Sequence, residues 1–416
     1  MMNPFRSKMH RLGSTAMHAT RRCFFVCATS FALLGAGLPA EEAAFQEVVV
    51  FANNTEGYQY LYPAAIARSK QNTLLAFVEA NKPGERNKRF ILLRRSTDAG
   101  KTWGPMITVA TEPDKEVAIG NVCPVVDRQT GTIWLAFCDR GPDRFEDRVF
   151  VTHSDDDGKT WAERVEITKD VKKPEWGYYY TGPGHGIQLK SGRLIFPCHH
   201  SARNSTQKDF KEWTRLKGSH VFYSDDHGKS WKLGGQSDRV MDECQVVELA
   251  DGSLLLSMRN YLGGFEMGVE GSGSKQRAFA TSTDGGVSWS KSTHHPQVHC
   301  PACMGSIVRH TLPPEAAKNR IVYSGPGGPV RRNMTVRLSY DEGKTWPVAK
   351  VIKEGRVGGS DLVSLPDGRI GCLYSHSRSG WDKTSFARFT LGWLTDGKDT
   401  PAVPEQQSVS PPNSPQ

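Results

Sequence analysis

Ser96-Thr97-Asp98-Ala99-Gly100-Lys101-Thr102-Trp103 is the first of five copies of one phrase, SxDxGx(T/S)W. The others are SDDDGKTW from Ser154, SDDHGKSW from Ser224, STDGGVSW from Ser282 and SYDEGKTW from Ser339. One copy makes a tight turn. Asp and Ser side chains bond backbone amides, Gly takes the positive-φ position, and Trp folds back beneath the turn. The box aspartates Asp98, Asp156, Asp226, Asp284 and Asp341 are spaced by 58, 70, 58 and 57 residues. A period of that size marks stacked or radially arrayed supersecondary units.

Working outward from the boxes, a second repeat appears, an apolar hairpin across a polar turn. Its copies are YPAAIARSKQNTLLAFVE from Tyr62, VCPVVDRQTGTIWLAFC from Val122, HGIQLKSGRLIFPC from His185, ECQVVELADGSLLLSMR from Glu243, MGSIVRHTLPPEAAKNRIVYS from Met304 and SDLVSLPDGRIGCLYS from Ser360. Each joins β-rich segments through Gly, Asn, Asp or Pro turn residues, as hairpins require. An amphipathic strand then runs into each box (FILLRRS, RVFVTHS, SHVFYS, AFATS, TVRLS), and the segment after the box Trp supplies a fourth strand. Six units of about sixty residues, four antiparallel strands each, describe an all-β, six-bladed β-propeller, in which radial repetition leaves only short edges. The last β-rich stretch, FARFTLGWL (Phe386–Leu394), is expected to close the ring with the N-terminal strand EVVVFAN.

The propeller is expected to span 45–395. Residues 1–40 read as a secretory signal: Arg21 and Arg22, the apolar run Cys23–Gly37, then small residues ending at Ala40. That segment implies a secreted or periplasmic protein. Residues 396–416 turn to Pro, Ser, Gln and Asp and read as a disordered tail. The full chain carries a net charge of +9. Without the leader, 48 Lys/Arg face 44 Asp/Glu, a balance of +4 with no basic run, so nucleic-acid binding has no support. No apolar run is long enough for a membrane span in the mature chain. Seven cysteines remain, an odd number, which leaves at least one thiol without an intramolecular partner. Cys300 and Cys303 form a lone CxxC, which reads as buried thiols or one local disulfide rather than a metal site, and no cofactor is implied.

In such a ring the innermost strands line a central channel, and their ends converge on one face. Those strands are expected to begin near Leu61, Asn121, Gly184, Glu243, Met304 and Gly359. Glu243 stands at the channel mouth, Arg259 closes the same hairpin, and Arg331 and Arg332 precede the fifth box strand. One carboxylate and two or three arginines around a funnel suit an acidic small molecule, because guanidinium forks match carboxylates bidentately. His185 is expected at a channel-facing start, as a substrate-binding group or as a bond between blades. His199 and His200 close the third hairpin, and Tyr178, Tyr179 and Tyr180 with Trp176 offer a stacking platform or core aromatics.

The stretches GYQYLYPAAIARSKQNTLLAFVEA, ILLRRSTDAGKTWGP, TGPGHGIQLKSGRL, ECQVVELADGSLLLSMRNY and RRNMTVRLSYDEGKTWP resemble the bacterial exo-sialidases (neuraminidases) with Asp-box, or BNR, repeats, from about Phe45 to Leu394. The resemblance implies a six-bladed propeller in which three arginines clamp the sialic acid carboxylate, an Asp is general acid/base, and a Tyr nucleophile is assisted by a Glu. A Tyr nucleophile is the sialidase departure from the two-carboxylate rule. By position, Glu243 matches the assisting Glu, Arg259 the second clamp arginine, and Arg331, or else Arg332, the third. Glu85, in KPGERNKRF, stands where the acid/base Asp belongs. Two positions depart from the family. Leu61 occupies the first arginine's place and Gly359 the nucleophile's, with Tyr374 and Asp361 as nearby substitutes. The resemblance therefore implies an exo-sialidase-like glycoside hydrolase removing a terminal sialic acid or other acidic sugar from a glycan. The alternatives are a non-catalytic glycan-binding propeller and a hydrolase or lyase for uronic-acid polysaccharides using His185.

Overall fold

The computed structural model describes residues 42–85, 89–112, 117–140, 147–202, 215–261, 275–377 and 382–399. The expected leader and nearly all of the expected tail lie outside these residues.

All six expected hairpins form as antiparallel pairs. After β1 (Phe45–Ala52), the first four-stranded sheet comprises β2 (Tyr60–Arg68), β3 (Leu74–Asn81), β4 (Phe90–Ser96) and β5 (Ile107–Thr111). The second comprises β6 (Ala118–Val126), β7 (Ile133–Arg140), β8 (Arg148–Ser154) and β9 (Val165–Glu166). In the third, β10 (Trp176–Thr181) and β11 (Ile187–Gln188) share the inner edge of β12 (Leu194–Ala202), followed by β13 (Lys217–Ser224) and β14 (Lys232–Arg239). The fourth holds β15 (Met241–Glu248), β16 (Leu254–Asn260), β17 (Gln276–Ser282) and β18 (Thr293–His299).

The remaining strands merge into one seven-stranded sheet. These are β19 (Ser306–Thr311), β20 (Arg320–Pro326), β21 (Arg332–Ser339), β22 (Val348–Ser364), β23 (Ile370–Ser377) and β24 (Lys383–Phe389), in the order β1-β24-β23-β22-β21-β20-β19. The cause is β22, 17 residues without a break: Val348–Arg356 pairs with β21 and Arg356–Ser364 pairs with β23. The closure is present, because β1 pairs with β24 from Phe45 opposite Phe389 to Ala52 opposite Lys383, but only Phe386–Phe389 of the expected closing stretch is strand, and Leu391–Leu394 forms a short helix capped by Thr390 instead.

The boxes hold neighbouring sheets together in a propeller-like arrangement. In the first, Ser96 Oγ accepts from Gly100 N at 2.8 Å and donates to Asp98 Oδ1 at 2.7 Å, and Asp98 in turn accepts from Thr102 N at 3.0 Å. The same bonds recur from Ser154, Ser224, Ser282 and Ser339. Every box Gly sits at positive φ with its α-carbon against the preceding sheet. Gly158 faces Leu75, Gly228 faces Trp134, Gly286 faces Val221 and Gly343 faces Leu255. The first box turns back to the last sheet, where Gly100 faces Phe386 and Trp103 meets the same ring edge-on at 5.5 Å. The series is therefore circular.

On the axis a fully buried carboxylate ties the inner strands. Asp361 on β22 accepts from Ile66 N of β2 at 2.8 Å, Gln245 Nε2 of β15 at 2.8 Å and Ser306 Oγ of β19 at 3.0 Å, and lies 2.7 Å from His185 Nδ1.

Candidate active site

The strands β2, β6, β10, β15 and β22, each on the inner edge of its hairpin, carry a β-bulge near one end. Two residues there oppose one: Tyr62 and Pro63 face Glu79, Asn121 and Val122 face Phe137, Gly177 and Tyr178 face Ser201, Asp242 and Glu243 face Arg259, and Gly358 and Gly359 face Ser375. Bulges re-aim side chains and are common beside active sites. In a regular strand Asp242 and Glu243 would point to opposite faces. Here both meet the same guanidinium.

Arg259 Nη1 donates to Glu243 Oε2 at 2.7 Å, its Nη2 donates to Tyr261 Oη at 2.5 Å, and its Nε lies 3.8 Å from Asp242 Oδ2. Asp242 Oδ2 also accepts from Tyr261 Oη at 2.6 Å and from Lys217 Nζ at 2.9 Å, and Oδ1 lies 3.0 Å from His199 Nε2. The Lys217 ammonium sits over the rings of Tyr178 at 4.7 Å and Tyr261 at 5.4 Å. Asp242, Lys217 and His199 are buried, while the Glu243 side chain keeps 19% of its surface.

Burial dominates the electrostatics. It would by itself raise the Asp242 carboxyl, but Lys217, His199 and Arg259 overcome it and hold the group well below the usual range. Burial lowers Lys217 against the pull of Asp242, and lowers His199 to about 4, so that imidazole is neutral at pH 7. The phenols of Tyr178 and Tyr261 are pushed up, chiefly by burial. Asp147, bonded by Tyr179 N at 2.9 Å, is a buried carboxyl that burial raises to about 7.

The structure brings Glu243, Arg259 and Arg331 to one face. Arg331 donates from Nη2 to the carbonyl of Ala302, and the adjacent Cys303 thiol has Arg331, Glu243 and Arg259 as charged neighbours. Arg332 is exposed, in register with Arg356 on β22. Arg277, wholly buried, shapes this wall by donating to the carbonyls of Cys303 at 3.1 Å and Gly305 at 3.3 Å. Glu85 follows β3, with one buried carboxylate oxygen that makes no hydrogen bond among the described residues. Arg86 and Lys88 beside it lie outside them.

His185 is on the axis with Asp361 rather than in the Glu243 cluster. Of the histidine pair, His199 reaches Asp242, whereas His200 stacks on Trp176 at 3.7 Å. Leu61 is 2% exposed in an apolar cluster with Val78 and Phe90. Tyr374 is buried with Glu47 as its charged neighbour, which places its phenol elsewhere. Sequence reasoning missed Asp242, Lys217, Tyr261 and Glu79. Glu79 is a buried carboxylate paired with Arg89 and bonded by Asn121 N, and a Cβ on Gly120 would stand 2.3 Å from it. The Asp242-Glu243 doublet was the one available signal. Among the described residues the seven cysteines are free, buried thiols, and no cluster of His, Cys, Asp and Glu is arranged for a metal ion.

Residues 72–377 match the family described as BNR repeat-like domain. The chain is 32% identical to a sialidase of Micromonospora viridifaciens over 87% of its own length and 56% of that protein's. It is 30% identical to a sialidase of Bacteroides fragilis (strain YCH46) over 68% and 54%. It thus spans about half the length of these two relatives. Among solved structures, Hadza microbial sialidase Hz136 superposes with a TM-score of 0.69 at 26% identity, covering 81% of this chain and 67% of that one.

Proposed function

From the premise that this chain belongs to the BNR-repeat family of sialidases, we propose that it is an exo-sialidase-like glycoside hydrolase acting on a terminal sialic acid or similar acidic sugar of a glycan. The proposal has six blades: the two halves of β22 close the fifth and open the sixth. It also has export directed by the leader ahead of Ala40. The observation that carries the reading is the convergence of Glu243, Arg259 and Arg331 at the bulged strand ends.

In this reading Arg259 and Arg331 receive the sugar carboxylate through paired, charge-assisted hydrogen bonds. Tyr261 and Asp242 orient Arg259 from behind, leaving Glu243 as the carboxylate nearest the sugar. Glu85 protonates the leaving oxygen. With Leu61 packed in the core and glycines at 358 and 359, the clamp has one arginine fewer than the family pattern and no phenol at the nucleophile's place. Glu243 then acts as base on a water. The balance is that of hydrolysis: water's oxygen bonds the anomeric carbon, Glu243 takes its proton, and the glycosidic oxygen leaves with the proton of Glu85. The test is turnover of a fluorogenic sialoside by wild type and Glu243→Gln. Turnover by wild type that the substitution abolishes supports the reading; no turnover by wild type, or equal turnover by both, sinks it. A glycan-binding role is the second reading, supported by the same Leu61 and Gly359, and it predicts sialoside binding without release.

A further inference from the structure

At the end of the axis opposite the Glu243 cluster, the strand ends of β2, β6, β15, β19 and β22 surround a second cavity of about 580 Å³. Its floor toward the candidate active site includes His185, which bonds the buried Asp361, so the hub of Asp361, Gln245 and Ser306 stands between the two mouths. The charged lining is Arg68, Arg128, Lys190 and Arg309 against Glu248 and Glu315. Arg309 is spent, since it forms an ion pair with Glu342 at 2.6 Å. Glu248 is partly spent too, its Oε2 accepting from Lys190 N at 3.0 Å. Arg128 is anchored by one bond, from Nη2 to the carbonyl of Gln188 at 2.6 Å.

Arg68 is the anomaly. It is half-buried, and among the described residues its guanidinium has neither an ion pair nor a hydrogen bond; its charged neighbour is Arg128, another cation. Burial and that neighbour both press on its charge. A partly desolvated guanidinium beside a second one is a costly arrangement that an oxyanion would relieve with paired, charge-assisted bonds.

We propose that this cavity is a second binding site, for a small molecule bearing an oxyanion (a carboxylate or a phosphate), gripped by Arg68 and Arg128 on the face away from the sialidase site. It does not depend on the proposed hydrolysis. The shared chemistry is the oxyanion, and the two sources are separated by the probes.

Isothermal titration of the full chain with inorganic phosphate and, separately, with acetate is the experiment. Saturable binding of either probe is expected, and whichever binds identifies the source. Arg68→Gln is expected to weaken that binding roughly ten- to hundredfold, the equivalent of one lost charged hydrogen bond. Arg128→Gln, an exposed position that leaves folding aside, should weaken it as well. No saturable binding of either probe, or binding undiminished by Arg68→Gln or by Arg128→Gln, would overturn the assignment.

Discussion

Replacing Asp242 with Asn removes one buried charge and deprives another of its partner. Asp242 and Lys217 are 2% and 1% exposed, and Lys217 Nζ donates to Asp242 Oδ2 at 2.9 Å. Breaking one member of a buried pair costs about 3–5 kcal/mol. The upper end is set by chemistry. Lys217 can escape by losing its proton, and holding an ordinary lysine neutral at pH 7 costs about 5 kcal/mol. The loss is a large share of the ~5–15 kcal/mol that stabilises a typical domain.

Equilibrium urea unfolding followed by tryptophan fluorescence measures it, on wild type, Asp242→Asn, Lys217→Met and the double variant. The double variant is expected to recover most of the loss, because no charge is then left unmatched. The pH dependence has a definite sign. The folded Asp242 carboxyl is held below its unfolded value, so the wild-type advantage over Asp242→Asn is fully present above about pH 4 and is lost as pH falls through that value toward the depressed folded one. Asp242→Asn within about 1 kcal/mol of wild type at pH 7, with the double variant no better, would refute the reasoning.

Two further substitutions probe the ring. Gly252→Ala, at φ +84 with open space around its α-carbon, should cost about 1–2 kcal/mol for the left-handed backbone alone. Gly100→Ala, at φ +85 with the new Cβ 2.2 Å from Phe386, should cost about 1–3 kcal/mol more; equal losses by denaturant titration would mean that the box does not seal the first sheet to the last. Asp361→Ala strands Ile66 N, Gln245 Nε2 and His185 Nδ1 in the interior and should lower stability by about 3 kcal/mol or more, and an unchanged unfolding midpoint would contradict a load carried at the axis.

What the sequence revealed was local and periodic. The boxes and hairpins are runs of adjacent residues whose turn chemistry repeats, so all six hairpins and the pairing of β1 with β24 were legible. The merging of the last two units through β22 was not, because the sixth inner strand was expected to begin near Gly359, whereas β22 runs from Val348 through that point to Ser364. In the site, Glu243, Arg259 and Arg331 were singled out by position; the structure pairs Glu243 with Arg259 and sets Arg331 near Cys303, which has all three as charged neighbours. Asp242 escaped notice because strand alternation would put it on the far face, and only a bulge turns both acids onto Arg259. His185 stayed open between a substrate-binding role and a bond between blades because its partner, Asp361, is 176 residues away in sequence. Pairings of that range leave no periodic trace.

The most direct measurement of the central claim is the affinity of the protein for a sialic acid and for its methyl ester, which differ only in the charge offered to the arginines. The account predicts that the free acid binds roughly ten- to hundredfold more tightly to wild type, and that Arg331→Gln erases most of that preference. Equal affinity for acid and ester in wild type, or a preference untouched by Arg331→Gln, would contradict it.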